Sequence, residues 1–249
     1  MVQAILGALL IGISLGVFGS GGSILTVPVL MYLVDMPASM AIASSLLIVA
    51  GISLFGSIPN IKNKKVSWPH VLLFGLPGMA GTYGGAWLGT LVESMVQLSV
   101  FVLLMIVAAV MMWRGNQTPQ LQGKINRAKV VLDGLVVGLI TGFVGVGGGF
   151  LIVPALVLLG GVPMAMAVGT SLLIITLKSF VGFAKYYEVL TMQHQSFDWL
   201  VISIMIAGGV AGSFLGLWIG HLLPKEKLQK SFSVFLVIMA SLVLTQSVL

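Results

Sequence analysis

Two stretches of the chain share one pattern: Gly16-Val-Phe-Gly-Ser-Gly-Gly-Ser-Ile-Leu-Thr-Val-Pro-Val-Leu30 and, without a gap, Gly142-Phe-Val-Gly-Val-Gly-Gly-Gly-Phe-Leu-Ile-Val-Pro-Ala-Leu156. Each copy interrupts a long apolar segment. Clustered glycines cost helix propensity, roughly 1 kcal/mol each, and free the backbone to leave the helix. The pattern predicts two interrupted segments around which the rest of the chain is arranged.

The composition indicates that these segments lie in a lipid bilayer. Of the 249 residues, 58% are hydrophobic and only 7% are charged, and the mean hydropathy is +1.15. A soluble domain of this length could not bury so much apolar surface. Runs of roughly 20 apolar residues cross a bilayer, and the uncharged runs predict about eight such segments. The uncharged start Met1-Val-Gln lacks the basic region of a cleavable signal peptide, so we expect none.

Charge and cysteine content exclude several classes of function. The chain has no cysteine, which excludes disulfides and thiolate chemistry. Its net charge of +6 comes from cations in short loops beside apolar runs, a topology signal rather than a sign of nucleic-acid binding. The three histidines stand singly at segment ends or in loops, and no pair has metal-ligand spacing. We therefore expect no cofactor, no metal and no nucleic-acid partner.

The similarity between the two halves continues beyond the glycines. At an offset of 126, Pro28 matches Pro154, and the offset becomes 131 after a five-residue insertion, so that Trp87 matches Trp218. The polar stretch between the halves is typical of a linker. We predict an all-α polytopic membrane protein with two homologous four-segment halves: residues 1–114, a cytoplasmic linker at 115–127, and residues 128–249.

Two topologies are open for the halves. If each first segment is one crossing, the repeats are parallel; if it turns back at the glycines as a hairpin or re-entrant segment, the repeats are inverted. The hairpin arrangement puts ten Lys and Arg residues on one side of the membrane against Lys185 on the other, whereas the single crossing gives eight against three. Positive charge concentrates in cytoplasmic loops, so the sequence favours inverted repeats with the linker in the cytoplasm.

The glycine breaks are the first candidate binding elements. Non-helical backbone at membrane depth is tolerated where it is buried in protein or lines a polar cavity. The free N–H groups of such a break, with the positive end of the following half-helix, are suited to hold an anion. Close helix packing is the alternative role for membrane glycines, and we expect it for the glycine-rich third helices. The break positions are Gly19, Ser20, Gly21 and Gly22 in the first half and Gly145, Gly147 and Gly148 in the second.

Hydroxyl side chains and one lysine complete the candidate site. Ser44 and Ser45 in the first half match Thr170 and Ser171 in the second. Their hydroxyls could donate to an anion, or bond back to a carbonyl of the preceding turn. Lys178 lies inside an apolar segment, where an ammonium costs at least roughly 2.5 kcal/mol unless it is paired or snorkels to the boundary. A substrate anion is one candidate partner for this lysine.

These residues bring the chain close to a known family. The duplicated Gly-x-x-Gly-x-Gly-Gly with a following proline, the small hydroxyl pair and the basic central loop together resemble the sulfite exporter TauE/SafE family of membrane permeases. The resemblance covers nearly the whole chain. It implies secondary transport in a bacterial or archaeal plasma membrane, with sulfite, organosulfonates or other small anions as substrates. The first break has Ser20 and Ser23 where the second has Val146 and Gly149, a departure from symmetry between the two breaks.

The sequence leaves three functions to compare. The leading hypothesis is a secondary transporter, an exporter by its family name, that binds a small sulfur-containing anion at a midplane site between the two breaks. An anion channel is the alternative, although duplicated broken helices favour alternating access. An intramembrane serine hydrolase using Ser20 would need a histidine base, and no histidine lies deep in a segment. Membrane lipid is an expected partner, a proton or sodium ion is a possible coupling ion, and the oligomeric state is open.

Overall fold

A computed structural model describes residues 2–19, 21–114, 127–145, 149–222 and 225–248. Regular structure in these ranges is helical, and two helices contain a π-helical turn. The elements are α1 (Val2–Phe18), α2 (Gly21–Tyr32), α3 (Ala38–Lys62), α4 (Trp68–His70), π1 (Val71–Gly75), α5 (Leu76–Thr90), α6 (Ser94–Arg114), α7 (Arg127–Val144), α8 (Gly149–Pro154), π2 (Ala155–Leu159), α9 (Met164–Met192), α10 (Trp199–Leu222) and α11 (Lys225–Val248).

The length and composition of these helices are those of a membrane protein. Within the described ranges, four helices are long and apolar enough to cross a bilayer: Ala38–Lys62, Ser94–Met111, Met164–Met192 and Trp199–Gly220. Their backbone polar groups are paired within each helix, as the hydrocarbon core requires. The predicted all-α polytopic membrane protein is confirmed.

The first glycine break reverses the chain. Helix α2 packs back along α1, because Gly22 lies against Ile11 and Leu15 while Gly7, nearer the start of α1, lies against Val29. Residue 22 therefore meets the end of α1 and residue 29 meets its beginning. The first segment is a hairpin rather than a single straight crossing.

The second break also reverses the chain. Helix α7 starts near the α3–α4 connection, since Val130 belongs to one apolar cluster with Val66 and Val71. After the break, α8 and π2 lead to Gly160, which lies beside His70 in α4. The chain has thus returned to the face of the bundle from which α7 began.

Glycines allow two helix pairs to approach closely. Gly12 and Gly16 of α1 face the backbone of α10 at Gly209 and Ser213, so the two helices run in the same direction. Gly138 of α7 faces the backbone of α5 at Gly78 in the same way. A β-carbon at any of these glycines would overlap a backbone atom. This is the close packing expected for the glycine-rich third helices.

Helices α3 and α9 form the centre of the bundle. They run antiparallel, because Gly182 packs against Leu46 while Gly56 packs against Leu172. Helix α6 packs against α11, where the Ser233 hydroxyl donates to Ala109 O at 2.7 Å. Helices of one half therefore pack on helices of the other: α1 of the first half packs on α10 of the second, and α7 of the second half packs on α5 of the first.

The bundle has two faces, named here by one residue each. The Asp35 face carries the α2–α3, α5–α6 and α9–α10 connections, and the Lys62 face carries the α3–α4 and π2–α9 connections. Helix α1 runs toward the Lys62 face, whereas α7 runs away from it. Opposite directions are what inverted halves require, while the homology of the halves and the domain boundaries stay predictions. Of the predicted linker, only Arg127 is described.

Candidate functional site

The first turn joins α1 to α2 at Gly19. This residue has φ +70°, a conformation that glycine adopts without strain. Its N–H donates to Leu15 O at 2.7 Å and closes α1. Helix α2 then begins with Gly21 and Gly22, both buried. A helix begins with N–H groups that have no acceptor within the helix, so the turn places such donors in the protein interior.

Ser14 lies beside these donors. Its side chain is only 7% exposed, and a β-carbon on Gly21 would lie 2.8 Å from its Oγ. This hydroxyl has no hydrogen-bond partner among the described residues. A buried hydroxyl without a partner is uncommon, because it has lost its water without replacement. Ser14 Oγ is therefore an unpartnered hydroxyl beside the first N–H groups of α2, which have no acceptor within the helix itself.

The second turn follows α7 at Gly145. Its φ is also +70°, and its N–H lies 3.1 Å from Thr141 O and 3.2 Å from Gly142 O. A β-carbon here would overlap Ile42 of α3 and would lie 3.1 Å from the Tyr186 hydroxyl. Gly147 and Gly148 of this turn, and Ser20 of the first, lie outside the described residues.

Each turn is held by a serine from the other half. Ser171 Oγ lies 3.0 Å from Gly19 O and 2.8 Å from Val168 O. Ser45 Oγ makes the corresponding pair, 3.1 Å to Gly145 O and 2.7 Å to Ile42 O. Both side chains are fully buried. These two predicted site residues donate to backbone carbonyls here, so their role in this conformation is to hold the turns.

Ser44 and Thr170, the other two predicted hydroxyls, differ from each other. Thr170 Oγ1 accepts from Ser67 N at 2.9 Å and donates to Met166 O at 2.6 Å. Ser44 Oγ is buried, and the described part of the chain provides it with no partner. Thr170 thus links α9 to the α3–α4 connection by a hydrogen bond. The Ser44 hydroxyl has no hydrogen-bond partner among the described residues.

The two turns lie at opposite ends of the α3–α9 pair. Ser45, next to the Gly145 turn, precedes Leu46, which packs against Gly182. Ser171, next to the Gly19 turn, lies eleven residues before Gly182 on α9. At 1.5 Å per residue the separation along the axis is about 16 Å. The expected convergence of both turns on one midplane ligand is therefore absent from this conformation.

Lys178 lies apart from both turns. It is fully buried in α9, and its Nζ lies 4.7 Å from the centroid of the Phe74 ring. It therefore points toward α5 and π1. The structure brings Ser171 together with the first turn, at Gly19, Gly21 and Gly22. It brings Ser45 together with the second turn, at Gly145. Along the axis of α9, Lys178 lies between the levels of these two turns.

A cavity at the Asp35 face lies between α5, α6 and α9. Its volume is about 200 Å³, and Gln97 and Tyr186 line it. The Gln97 amide donates to Gly89 O and, at 3.2 Å, to the Tyr186 hydroxyl. That hydroxyl lies 3.4 Å from Phe143 O, close to Gly145. The cavity therefore reaches Tyr186, a residue whose hydroxyl lies close to the second turn.

The sequence interpretation did not select Ser14, Gln97 or Tyr186. Ser14 could have been noticed, since it is a polar residue inside α1, seven positions before Gly21. Gln97 and Tyr186 are 89 residues apart, and nothing in the sequence pattern pairs them. Among the residues that the structure describes, no three acidic or histidine side chains meet as a metal site would require.

Comparisons with known proteins identify the class of this chain. It is 32% identical over 213 residues to a probable membrane transporter protein of Xylella fastidiosa strain 9a5c, covering 83% of this chain and 80% of the relative. A probable membrane transporter protein of strain Temecula1 is 30% identical over 246 residues, 96% of this chain and 92% of the relative. YunE of Bacillus subtilis, also named a probable membrane transporter protein, is 29% identical, covering 80% of each chain. The chain is a multi-pass membrane transporter.

The family follows from a second comparison. The family model described as sulfite exporter TauE/SafE matches residues 4–243. The chain belongs to this family, and the resemblance drawn from the glycine motifs is confirmed. No solved structure matches the chain.

Proposed function

We propose that this protein is a secondary transporter that moves a small sulfur-containing anion, such as sulfite or an organosulfonate, across a bacterial or archaeal plasma membrane. The family name supports sulfite as substrate and export as direction. The predicted site residues stay part of the proposal, with the two turns at different depths and Lys178 at a depth between them instead of one shared midplane position. The two turns are then two binding sites at different depths along one transport path.

The observation that carries the proposal is the buried, unpartnered Ser14 hydroxyl beside the start of α2, next to the Gly19 turn. An oxyanion presents several acceptor oxygens and a negative charge, which the positive end of α2 favours. The orphaned Ser14 hydroxyl adds a side-chain donor next to Gly21. A sulfite or sulfonate group is small enough to be held by main-chain N–H groups and one hydroxyl. No β-carbon fits at Gly22, which packs on Ile11 and Leu15, so the start of α2 approaches α1 closely beside Ser14.

The distribution of charge supports an orientation. The Lys62 face carries Lys62, Lys64 and Lys65, and the Asp35 face carries Asp35 and Asp198. Positive charge marks the cytoplasmic side, so the Lys62 face and the central linker belong there in this proposal. The cavity that reaches Gln97 and Tyr186 then opens to the outside. The Gly19 turn lies nearer the Lys62 face and is therefore the binding site on the cytoplasmic side.

Transport assays with the purified protein in liposomes test the proposal. We expect flux of sulfite that saturates with concentration and is inhibited by organosulfonates, because a transporter binds its substrate in each cycle. Flux that rises linearly without saturation indicates the channel alternative. Absence of flux for sulfite, sulfoacetate and toluene sulfonate, in liposomes shown to contain folded protein, would overturn the proposal.

A further inference from the structure

Lys178 occupies the middle of the longest described helix. Fourteen residues of α9 precede it and fourteen follow it, from Met164 to Met192. Each end of the helix is therefore about 21 Å away along the axis. The side chain is 1% exposed. A lysine side chain is far too short to cover that distance, so Lys178 does not snorkel to the membrane boundary.

The space around the amine is formed by an aromatic ring and a glycine. The Nζ lies 4.7 Å from the centroid of the Phe74 ring. Gly78 of α5 faces the end of the lysine, since a β-carbon there would overlap Cε and would lie 2.7 Å from Nζ. The described residues offer the Nζ no hydrogen-bond acceptor. The lysine thus ends in a notch that contains no counter-charge.

The other half of the molecule fills the corresponding notch with an aliphatic side chain. Ile52, the repeat counterpart of Lys178, packs against Gly209, the counterpart of Gly78, where a β-carbon would lie 2.7 Å from Ile52 Cγ1. The same helix arrangement is therefore formed with isoleucine. Packing alone does not explain why an amine stands at position 178.

Other titratable groups on the surrounding helices do not pair with the lysine. His70 of α4 is bonded to Ser67 through Nδ1 at 2.8 Å. Lys185 of α9 is paired with Glu188 at 3.0 Å. Tyr186 is bonded to Gln97. Tyr83 of α5 lies under Lys185, and Asp133 of α7 precedes Gly134, which packs on Phe74. The remaining groups on the packed helices are Lys62 of α3, Arg127 and Lys129 of α7, and Tyr187 of α9.

An ammonium in such a place is costly unless a negative charge comes near it. The amine therefore has two favourable states: neutral when no anion is near, and protonated when one is. An anion that crosses the bilayer must pass the depth of Lys178, where the low dielectric strengthens attraction between opposite charges. Binding of the proton and binding of the anion then favour each other by the same factor.

We propose that Lys178 carries the coupling proton of this transporter: its neutral amine takes up one proton as the anion reaches the midplane, and both are released on the same side. The Phe74 ring face stabilises the charged form during the passage. The amine returns neutral, so one proton moves with each anion. This inference rests on the proposed function and adds its coupling ion.

The test uses an organosulfonate, because a sulfonate stays ionised over the whole working range of pH while sulfite does not. Liposomes with wild-type protein receive labelled toluene sulfonate with the membrane potential held at zero by potassium and valinomycin. With the interior one pH unit more alkaline, one proton per anion predicts inward accumulation of up to about tenfold. Without a pH gradient the label only equilibrates.

Two variants assign the proton to Lys178. Lys178→Ile copies the side chain that the other half accommodates, and it should abolish the accumulation. Lys178→Arg keeps a permanent charge and should exchange labelled for unlabelled sulfonate without responding to the pH gradient. Accumulation at the wild-type level in either variant would overturn the inference.

The same assay separates this inference from the proposed function. Wild-type flux that ignores the pH gradient would overturn the inference and leave the transporter assignment in place. Absence of any sulfonate or sulfite flux in the wild type would overturn the proposed function, and the inference with it. Sulfonate binding to the solubilised protein gives an independent check: Kd should rise with pH in the wild type and stay constant in Lys178→Ile.

Discussion

The two halves place different side chains in the same kind of notch. In one, Ile52 packs against Gly209; in the other, Lys178 packs against Gly78 and the Phe74 ring. The surrounding helices pack alike in both, α1 on α10 and α7 on α5. The difference teaches that the helix arrangement does not depend on the lysine. Because the same helix packing accepts isoleucine in one half and lysine in the other, a substitution of Lys178 can test function without disturbing the fold.

The largest expected effect concerns the direction of the halves, on which the comparison depends. The chain has no cysteine, so single cysteines can be introduced without background. We expect Lys62→Cys and Lys230→Cys to react with an impermeant thiol reagent from the same side of the membrane. Glu188→Cys should react from the opposite side. Labelling of Lys62→Cys and Lys230→Cys from opposite sides would contradict the two hairpins. It would also contradict the comparison of the Ile52–Gly209 contact with the Lys178–Gly78 contact.

The glycines that bring the helices together come next. A β-carbon at Gly138 overlaps Gly78 O, and one at Gly12 overlaps Gly209 O. Backbone atoms cannot move aside as a flexible side chain does, so each change to alanine should lower the free energy of unfolding by about 3 kcal/mol. Thermal unfolding in detergent measures this. Gly84→Ala is the matched control, because no described atom beyond its chain neighbours and the nearby backbone of its own helix would lie within 4 Å of its β-carbon. Equal stability of Gly138→Ala and Gly84→Ala would refute the packing.

The serines that hold the turns should show smaller and similar effects. Ser45→Ala and Ser171→Ala each leave a buried carbonyl, Gly145 O or Gly19 O, without this donor. We expect each to cost about 1–2 kcal/mol of unfolding free energy, and the double variant to cost the sum, because the two serines are far apart. Ser99→Ala, at an exposed serine of α6, is the control. A large effect in one half only would show that the two turns are not equivalent.

The smallest stability effect is expected at the lysine itself. Replacing a buried, unpaired amine by a well-packed apolar side chain is neutral or stabilising, so Lys178→Ile should raise the free energy of unfolding by about 0–1 kcal/mol. Thermal unfolding again gives the value. A loss of more than about 2 kcal/mol would mean that Lys178 makes an interaction on which the fold depends.

Several features of this molecule follow from its sequence, and others need the tertiary arrangement. Composition predicts the membrane helices, and the repeated glycines predict where α1–α2 and α7–α8 are interrupted. The positions of Ser45 and Ser171 are also visible in the repeat, but their acceptors lie in the other half, at Gly145 and Gly19. Periodicity within one helix carries no information about such partners.

The depth of each turn was not predictable for a related reason. The repeat shows that both breaks exist, but the crossing of the hairpins decides whether they meet. Because α1 runs toward the Lys62 face and α7 away from it, each turn lies past the midplane, near the far end of its hairpin. Ser14 lies beside Gly21 because α2 folds back along α1, a contact that no spacing rule indicates.

Binding of sulfite to the purified protein tests the central claim most directly. Titration calorimetry would compare the wild type with Ser14→Ala and with Ser99→Ala, which removes an exposed hydroxyl elsewhere. A hydrogen bond to a charged group contributes about 1.5–3 kcal/mol, so Ser14→Ala should weaken sulfite binding by about tenfold or more. Ser99→Ala should bind like the wild type. Equal affinity of Ser14→Ala and the wild type would contradict an anion site at the start of α2.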